Sequence, residues 1–543
     1  MQAGDPRAAS PRGTGPRAGG DRSGGNPPRD SGSSDFGSSD FGSGDFGSGG
    51  DLPRGNRSGE PLRAARAAAL ALLLPCAAGC ELGVRPSAGA GRGLVVIAVD
   101  GLRADHLSCL GYDRQTTPRL DRWADEGVLF EAAFSASPLR VPAHSALLSG
   151  SDPNLARREV PQWLEATLDQ TWLLPARVPR LPLELAGLGF QTAAFSAHPE
   201  FSRVFGLGVG FQTFVTPWDQ EDQSVPAARL LALAQQWIES QDPGADWFCY
   251  LELADLERAL TRPEPAEETR FAPRPELGYL PPVGTERPAL FALPPERFDG
   301  SLRTVGEFEA RYDGALFELD QAIGRWLDVL AAEGRLERTS LCLVGSYGMQ
   351  FGEAGLYADH GRLSMADLRI PVLLLPAAEL SLARRGRRPE LFSAIDLAPT
   401  LLGLYGAPAP AGMIGADRLA ADAAPREHCF SSCAIQGGYA AISESHCLEL
   451  VFGAAVASPT LRRAWFGDLA EHAGEARERL YDWRATPFPP LAGGPPPEPL
   501  LAEPLRAAAA RYIDAVEQLR ELYQEPLMRL GFADRAALES TPP

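Results

Sequence analysis

The chain has 543 residues, 44% of them hydrophobic, and its 51 basic and 70 acidic residues give a formal net charge of −19. This balance argues against nucleic acid as the main partner, because a nucleic-acid-binding surface needs an excess of basic side chains. The sequence contains no lysine, so any mechanism that depends on a lysine is excluded and arginine supplies every permanent side-chain cation. The length suffices for one large α/β domain, a smaller one and a tail.

The first 80 residues divide into two segments of different composition. Residues 1–61 are rich in Gly, Ser, Pro and Asp and carry the repeat SSDFG SSDFG SGDFG. Such a segment cannot bury enough apolar surface to offset the entropy of ordering, so the sequence predicts disorder. Residues 62–80, LRAARAAALALLLPCAAGC, place arginines before a short apolar run and small residues before Cys80. That run is too short to span a bilayer but is typical of a secretory signal.

The last residues of this second segment, AAGC, resemble the processing box of bacterial lipoproteins, in which the cysteine becomes lipidated. The resemblance implies a signal peptide and an exported lipoprotein, anchored in the membrane through a lipid on Cys80 and located in the periplasm or at the cell surface. The alternative is a chance helix rich in Ala and Leu.

From Gly93 onward, strand-like apolar runs alternate with helical patterns. GLVVIAVD predicts a buried strand ending at Asp100, TSLCLVGS predicts another ending at Ser346, and helices are predicted between them, for example over residues 227–241 and 310–334. This alternation predicts an α/β fold in which helices cover both faces of a large, mainly parallel sheet. Active sites of such folds lie at the carboxyl ends of strands, so Asp100 and Ser346 are candidate site residues.

The stretch SPLRVPAHSALLSG, residues 137–150, predicts a helix that begins at Pro142 and stops at Gly150. Backbone amides at a helix start can hold an anion. Arg140 lies just ahead of this start and adds a fixed positive charge. The local chemistry therefore favours holding a sulfate or phosphate group over attacking one.

Several blocks of the sequence, in order, resemble the sulfatase branch of the alkaline phosphatase superfamily. They include AVDGLRADHLSCLGYDRQTTPRLDRWADEGVLFEAAFSASP, YDGALFELDQAIGRWLDVL, YGMQFGEAGLYADHGR and DLAPTLLGLYGAP. The resemblance implies an alkaline phosphatase-like fold, with a sulfatase-like α/β domain over residues 93–415 and a smaller C-terminal antiparallel-sheet subdomain over 416–490. Residues 491–543 then form a proline-rich linker and a C-terminal helix.

Members of this family hydrolyse sulfate or phosphate esters with one or two divalent cations, which activate the nucleophile and neutralise the ester. Their nucleophile is a formylglycine made from cysteine or serine, or a threonine or serine. It stands ten residues before the glycine of a motif that resembles LLTG. Here that count leads from Gly150 back to Arg140, while Pro142 and His144 keep their places in the motif. The resemblance thus implies that an arginine replaces the attacking group.

The expected metal ligands are also substituted. Asp100 remains, but the aspartate and histidine of the family motif resembling SDHGE fall on Ser346 and Tyr347. A hydroxyl and a phenol are poor ligands for a hard dication. The histidines of a second family motif fall on Glu252 and Glu257. Together these changes predict a catalytically inactive protein without a cofactor; Ca²⁺ or Mg²⁺ is the alternative.

Two roles for Arg140 follow. Its guanidinium is expected to pair with Asp100, so that the buried carboxylate is compensated. Alternatively, Arg140, His144 and His360 hold a sulfated or phosphorylated ligand without cleaving it, in a site that is open and positively charged.

An active hydrolase remains a further alternative. It needs a metal centre rebuilt from Asp100, Asp359, His360 and the two glutamates. A displaced nucleophile at Ser135 or Ser137 is disfavoured, since each hydroxyl lies out of register with the helix start.

The C-terminal part gathers His428, Cys429, Cys433, His446 and Cys447. In an exported protein a disulfide among the three cysteines is expected. A metal site with non-standard spacing and free thiols on a small sheet are the alternatives.

Close to the C-terminus, apolar side chains recur at helical spacing at Tyr512, Val516, Leu519 and Tyr523. This pattern predicts an amphipathic helix that docks on the main domain, with a protein partner as the alternative.

Overall fold

The computed structural model describes residues 91–156, 174–216, 225–261, 270–281, 301–353, 355–380, 382, 385–433, 438–451, 477–485, 487–488, 498–516 and 518–519. The predicted disordered segment 1–61, the signal-like segment 62–80 and Tyr523 of the C-terminal helix lie outside these ranges. Among the helices described, none is both long and apolar enough to cross a membrane.

Ten strands form the main sheet and a small two-stranded ribbon. They are β1 Gly93–Asp100, β2 Val128–Phe134, β3 Gln191–Ser196, β4 Thr213–Val215, β5 Trp247–Leu253, β6 Thr339–Tyr347, β7 Gln350–Phe351, β8 Tyr357–Asp359, β9 Arg369–Leu375 and β10 Gly386–Ser393. The main sheet has eight strands in the order β10-β2-β9-β6-β1-β5-β3-β4, and β7 pairs with β8. Within the main sheet, only β9 runs antiparallel to its neighbours.

Eight α-helices are described before the second sheet. They are α1 Leu120–Glu126, α2 Arg140–Ser149, α3 Leu181–Gly187, α4 Ala227–Glu239, α5 Asp255–Thr261, α6 Val305–Ala332, α7 Met365–Leu368 and α8 Leu397–Leu404. Alternate residues of β1 belong to different hydrophobic clusters: Val95 and Ile97 pack with residues of α4 and α6, and Val96 and Ala98 with residues of α2 and α8. A strand buried on both faces in this way confirms the predicted sheet between helical layers.

Helix α2 begins two residues earlier than the sequence predicts. Arg140 is its first residue and Leu139 is the N-cap, so Pro142 occupies the third helical position. Proline is tolerated there because the first N–H groups of a helix have no intrahelical acceptor to lose. Arg140 therefore belongs to the helix and does not precede it.

The central strands β1 and β6 pair in parallel, and their register shifts at the carboxyl end. Val99 pairs with Gly345, but Asp100 pairs with Tyr347, so Ser346 is an extra residue in β6. An irregularity of this kind redirects side chains at a strand end. Here it allows two consecutive residues of β6, Ser346 and Tyr347, to point towards the same carboxylate.

A second sheet contains four antiparallel strands, β11 Cys429–Cys433, β12 Gly438–Ile442, β13 His446–Val451 and β14 Arg477–Asp482, in that order. One face packs against residues of the main domain, and the other packs against helical residues 499–516. Within that helix, the Tyr512 ring stacks on Phe430 with centroids 4.2 Å apart, and its hydroxyl donates to Asp152. The C-terminal helix therefore docks within the chain.

The expected disulfide is not formed, and all six cysteines in the described part of the chain are buried free thiols. Cys429 and Cys447 both pair with Ile442, from opposite sides of β12. They are therefore two strand spacings apart, about 10 Å, which exceeds the separation that a disulfide can bridge. Cys433 lies at the far end of β11 from Cys429.

Candidate functional site

The site lies where α2 begins, against the carboxyl ends of β1 and β6. Asp100 ends β1, Tyr347 ends β6, and Arg140 is the first residue of α2. Helix α2 is buried along its whole length, so its first turn packs against the carboxyl ends of the strands and not against solvent. The Arg140 side chain is consequently only 3% exposed.

The guanidinium of Arg140 is bonded on every side. Its Nε donates to Asp100 Oδ2 at 2.5 Å, and Nη2 donates to Glu257 Oε2 at 2.8 Å. Nη1 reaches Glu200 Oε2 at 3.2 Å and the ring nitrogens of His198 at 3.1 Å. The ion pair with Asp100 that the sequence predicts is present, and two further carboxylates share the same cation.

Asp100 accepts as many hydrogen bonds as a carboxylate can. Oδ1 accepts from His144 Nε2 at 3.0 Å and from the Ser346 hydroxyl, and Oδ2 accepts from Arg140 and from the Tyr347 hydroxyl at 3.0 Å. Together they fill the acceptor capacity of an ionised carboxylate. Burial alone raises the pKa of Asp100, but Arg140, His144 and the hydroxyl of Ser346 outweigh it and hold the pKa well below its usual value.

Glu257 is the second anionic partner of Arg140. In addition to the contact with Nη2, its Oε1 accepts from the Tyr347 hydroxyl at 3.0 Å. The phenol thus bridges Glu257 and Asp100, and burial, more than these neighbouring charges, raises the pKa of Tyr347 well above its usual value. Tyr347 therefore stays a neutral donor between two carboxylates.

Glu252 is a further carboxyl beside Arg140 and is fully buried. Oε2 accepts from the Ser196 hydroxyl at 2.8 Å and from two backbone amides. Oε1 is buried and lies 4.0 Å from Arg140 Nε, and the Glu252 side chain is also hydrogen-bonded to that of Asp100. Burial and the nearby charge of Asp100 raise the pKa of Glu252 well above its usual value.

The two predicted histidines occupy different surroundings. His144 is fully buried, and its Nδ1 is hydrogen-bonded to the Tyr250 hydroxyl at 2.8 Å. His360 lies at the edge of the site, where Nδ1 donates to the Pro138 carbonyl at 2.7 Å and the ring lies tilted against that of Tyr347, with centroids 4.3 Å apart. Its Nε2 is 3.8 Å from Glu257 Oε1. The described contacts of His360 therefore lead to Glu257 and Tyr347 rather than to Arg140.

The remaining alternatives from the sequence are placed as follows. Asp359 accepts a hydrogen bond from the backbone N–H of His360. The Ser135 hydroxyl donates to the carbonyls of Ser137 and Ser346, so it is held by backbone and is not directed at the start of α2. These contacts support neither Asp359 as a relocated metal ligand nor Ser135 as a displaced nucleophile.

Two residues of the site were missed in the sequence. His198 and Glu200 follow β3 in the stretch SAHPE and cover Nη1 of Arg140. Burial, with the positive charge of Arg140, lowers the pKa of His198 to about 4, so this imidazole is neutral at pH 7. The Glu200 side chain is 40% exposed and forms the solvent side of the cluster. The only sequence signal was their position directly after a strand.

Comparison with known proteins identifies the class to which this fold and site belong. Residues 92–407 match the family model described as Sulfatase, which covers more than half of the chain. This chain belongs to the sulfatase family.

The individual similarities are more distant. Arylsulfatase A of Homo sapiens is 26% identical over 378 residues, covering 62% of this chain and 68% of that protein. The crystal structure of a phosphonate monoester hydrolase of Agrobacterium radiobacter aligns with a TM-score of 0.54 at 17% identity, covering 80% of this chain and 96% of that one. A 2-O GAG sulfatase structure aligns with a TM-score of 0.55 at 16% identity, covering 80% and 94%. These structures share the fold of this chain.

Sulfatase-family proteins typically bind a divalent metal, and the residues at this site do not fit one while Arg140 is in place. Every acceptor position of Asp100 is taken by a donor, and Ser346 and Tyr347 are themselves donors to it. A hard dication needs six or more oxygen ligands with free lone pairs. The guanidinium supplies the positive charge instead.

Proposed function

We propose that this chain is a sulfatase-family protein that does not hydrolyse esters, in other words a pseudoenzyme. The observation that carries the proposal is the side chain at the start of α2. Arg140, at the position where the family carries its nucleophile, is 3% exposed and bonded to Asp100 and Glu257. A guanidinium is no nucleophile, and it remains charged at any physiological pH.

The same geometry disfavours a role in holding sulfated or phosphorylated ligands. Arg140 faces the carboxylates of Asp100, Glu200 and Glu257, so one cation is surrounded by three acidic groups. An incoming anion has to displace Glu200 and then approach the other two. An anion-binding site needs the reverse balance of charge.

The proposal is tested with an aryl sulfate and an aryl phosphate, assayed over a range of added Ca²⁺, Mg²⁺ and Zn²⁺. We expect no turnover above background for the native protein. Arg140→Ser and Arg140→Cys, the latter co-expressed with a formylglycine-generating enzyme, show whether restoring a nucleophile suffices. We expect both to remain inactive because the metal-binding positions are also changed. Metal-dependent turnover by the native protein, abolished in Asp100→Ala, would establish the alternative of an active hydrolase.

We also propose that the protein is exported and lipid-anchored, as the segment 62–80 suggests. Arginines, a short apolar run and small residues before Cys80 support this assignment. Labelling with a radioactive or clickable fatty acid should mark the native protein in the membrane fraction. Cys80→Ala should abolish the label, and an unlabelled native protein would refute the anchor.

A further inference from the structure

The two-stranded ribbon β7–β8 lies in the chain between Tyr347, a residue of the site, and His360, which covers the edge of the site. We infer that this ribbon is a pH-dependent flap, held closed by the protonated side chain of Asp367 and released when that side chain ionises. Asp367 belongs to the short helix α7. The inference goes beyond the proposed function, and it does not depend on whether the protein hydrolyses esters.

Asp367 holds both ends of the ribbon. Its Oδ2 accepts from Gln350 Nε2, in β7, at 2.6 Å and from the backbone N–H of Arg362, after β8, at 2.7 Å. Its backbone carbonyl accepts from the N–H of Gly348, just ahead of β7, at 2.7 Å. One buried residue therefore fastens the chain where it enters the ribbon and where it leaves.

The strand β7 is anchored by packing, and β8 is held less firmly. The ring of Phe351 in β7 contacts three other rings, with centroids 5.1–5.4 Å apart, namely those of His106, Phe308 and Tyr312. The strand β8 forms two pairs with β7, and the register is irregular between them. We therefore expect β8 and the turn that follows it to be the part that moves.

The strand β8 also contains a strained residue. Ala358 has a φ of +54°, and among the residues that the structure describes it is the one non-glycine residue with a positive φ. The Cβ atom is crowded in this left-handed region, so such a conformation persists only where the surroundings enforce it. The closed ribbon thus stores strain that opening relieves.

The surroundings of the Asp367 carboxyl favour its protonated form. The side chain is fully buried, both of its hydrogen-bond donors are neutral groups, and Oδ1 has no partner among the described residues. The charged groups that face it are Glu353, Asp359 and Arg362. Glu353 is itself paired with Arg103. Burial, with the negative charges of Glu353 and Asp359, raises the pKa of Asp367 well above its usual value.

Ionisation would leave a buried carboxylate beside two other acidic groups, and opening of the ribbon relieves this by admitting water. The turn after β8 carries His360, whose Nδ1 donates to the Pro138 carbonyl and whose ring lies against Tyr347. Its release therefore uncovers Tyr347 at the edge of the site. The sign of the pH effect follows, because the closed form binds the proton more tightly than the open form. The opening equilibrium should rise by up to about tenfold per pH unit until the pH reaches the raised pKa.

Hydrogen–deuterium exchange of the native protein at pH 5, 6 and 7 tests the inference. Dividing each rate by the intrinsic rate of an unprotected amide at the same pH leaves the change that is due to opening. We expect the protection of residues 357–362 to fall at least tenfold from pH 5 to pH 7. The helical residues 499–516, which pack on the small sheet, serve as the reference and should change less than threefold. A fall at 357–362 no larger than that of the reference overturns the inference, whether or not any variant folds.

Two variants assign the effect to Asp367. Asp367→Asn keeps the shape of the neutral carboxyl and cannot ionise, so the protection of residues 357–362 should change less than threefold over the same range. Asp320→Asn is the matched control. Asp320 is also fully buried, accepts from the backbone N–H groups of Arg119 and Leu120, and has a pKa that burial raises to about 6. It should keep the fall at 357–362.

A fall that persists in Asp367→Asn overturns the inference, as does one that Asp320→Asn abolishes. These measurements use no substrate, so they fail separately from the proposed function. Turnover by the native protein refutes the pseudoenzyme even if the ribbon opens as expected.

Discussion

Arg426 and Arg140 each pair with a buried aspartate, and they do so in different ways. Arg426 lies shortly before β11 and grips Asp396 with two nitrogens, Nε to Oδ2 at 2.7 Å and Nη2 to Oδ1. This is the two-pronged geometry in which a guanidinium and a carboxylate match each other. Asp396 also accepts the backbone N–H of Ala416 and that of Ser393, so the pair fastens the start of α8 to the chain that leads into the small sheet.

Arg140, in contrast, gives Asp100 a single N–H and spreads the others over Glu257, Glu200 and His198. A purely structural pair thus has one matched partner. The site arginine contacts four groups that come from three separate segments of the chain. The difference indicates that several acidic groups around Arg140 share one central cation, whereas Arg426 forms an ion pair with one carboxylate.

Removing Arg140 should therefore have the largest effect on stability. Arg140→Ser leaves Asp100 and Glu257 buried without the cation that they share, and breaking a buried ion pair from one side costs about 3–5 kcal/mol. Urea unfolding in metal-free buffer measures the loss. Arg140→Ser/Glu257→Gln should recover at least about 1 kcal/mol of it, since one of the two orphaned charges is gone. If the free energy of unfolding of Arg140→Ser lay within about 1 kcal/mol of that of the native protein, the result would contradict this view of the site.

Arg426→Ser should cost less, about 2–3 kcal/mol, because one carboxylate loses its partner and retains two backbone donors. The same urea experiment applies. Adding Glu257→Gln to Arg426→Ser should recover none of this free energy of unfolding. Arg426 and Glu257 share no partner among the described residues, so the effects of the two substitutions should add. Recovery by Glu257→Gln here would show that the two arginines are not independent.

Asp367 extends the comparison to a buried carboxyl whose hydrogen-bond donors are an amide side chain and a backbone N–H. Oδ2 accepts from Gln350 Nε2 at 2.6 Å and from the Arg362 N–H at 2.7 Å, while Oδ1 is buried without a partner among the described residues. Burial raises the pKa of Asp367 well above the ordinary value of 3.8. The folded protein thus keeps this proton at pH values where the unfolded chain has released it.

The sign of the pH effect follows from that difference. The contribution of Asp367 to stability is complete below the unfolded-chain pKa and declines as pH rises towards the raised pKa, by up to about 1.4 kcal/mol per pH unit. Asp367→Asn removes this decline. In urea unfolding at pH 5 and pH 7, the variant should gain on the native protein at the higher pH. Parallel behaviour of the two proteins would count against a neutral Asp367.

The smallest effect concerns the cysteines. Cys429, Cys433 and Cys447 are buried free thiols, so dithiothreitol should leave the Tm unchanged within about 1 °C. If this sheet contained a structural disulfide, its reduction should instead lower the free energy of unfolding by about 2–5 kcal/mol. If dithiothreitol clearly lowered the Tm of the native protein but not that of Cys447→Ala, Cys447 would form a disulfide. Such a disulfide would contradict the strand positions described above.

The sequence was sufficient for the fold. The run GLVVIAVD predicts a strand buried on both faces, and the helical patterns around it are long and regular, so the layered α/β architecture is predicted from local composition. It also located Asp100 and Ser346 at strand ends, and it assigned Arg140 to the nucleophile position. The start of α2 was two residues off because proline at position 1 and position 3 of a helix leaves the same local pattern.

The charge distribution of the site could be inferred only in part. The sequence showed two glutamates where histidines are expected and an arginine nearby, which is a signal for a new ion-pair set. It did not show that Glu257 bonds Arg140 while Glu252 bonds Ser196 and two backbone amides. Which of two acidic side chains reaches a guanidinium depends on a difference of a few ångströms in their backbone positions.

By itself, the sequence determined the layers of the fold and the strand-end position of Asp100 and Ser346, because these depend on local patterns and on residue type. Only the tertiary structure decided that Asp100 is saturated with donors, that His198 and Glu200 close the site, and that Cys429 and Cys447 stay apart. These features join side chains from segments far apart in the chain. Their distances are set by how strands register and helices pack, and no local pattern encodes them.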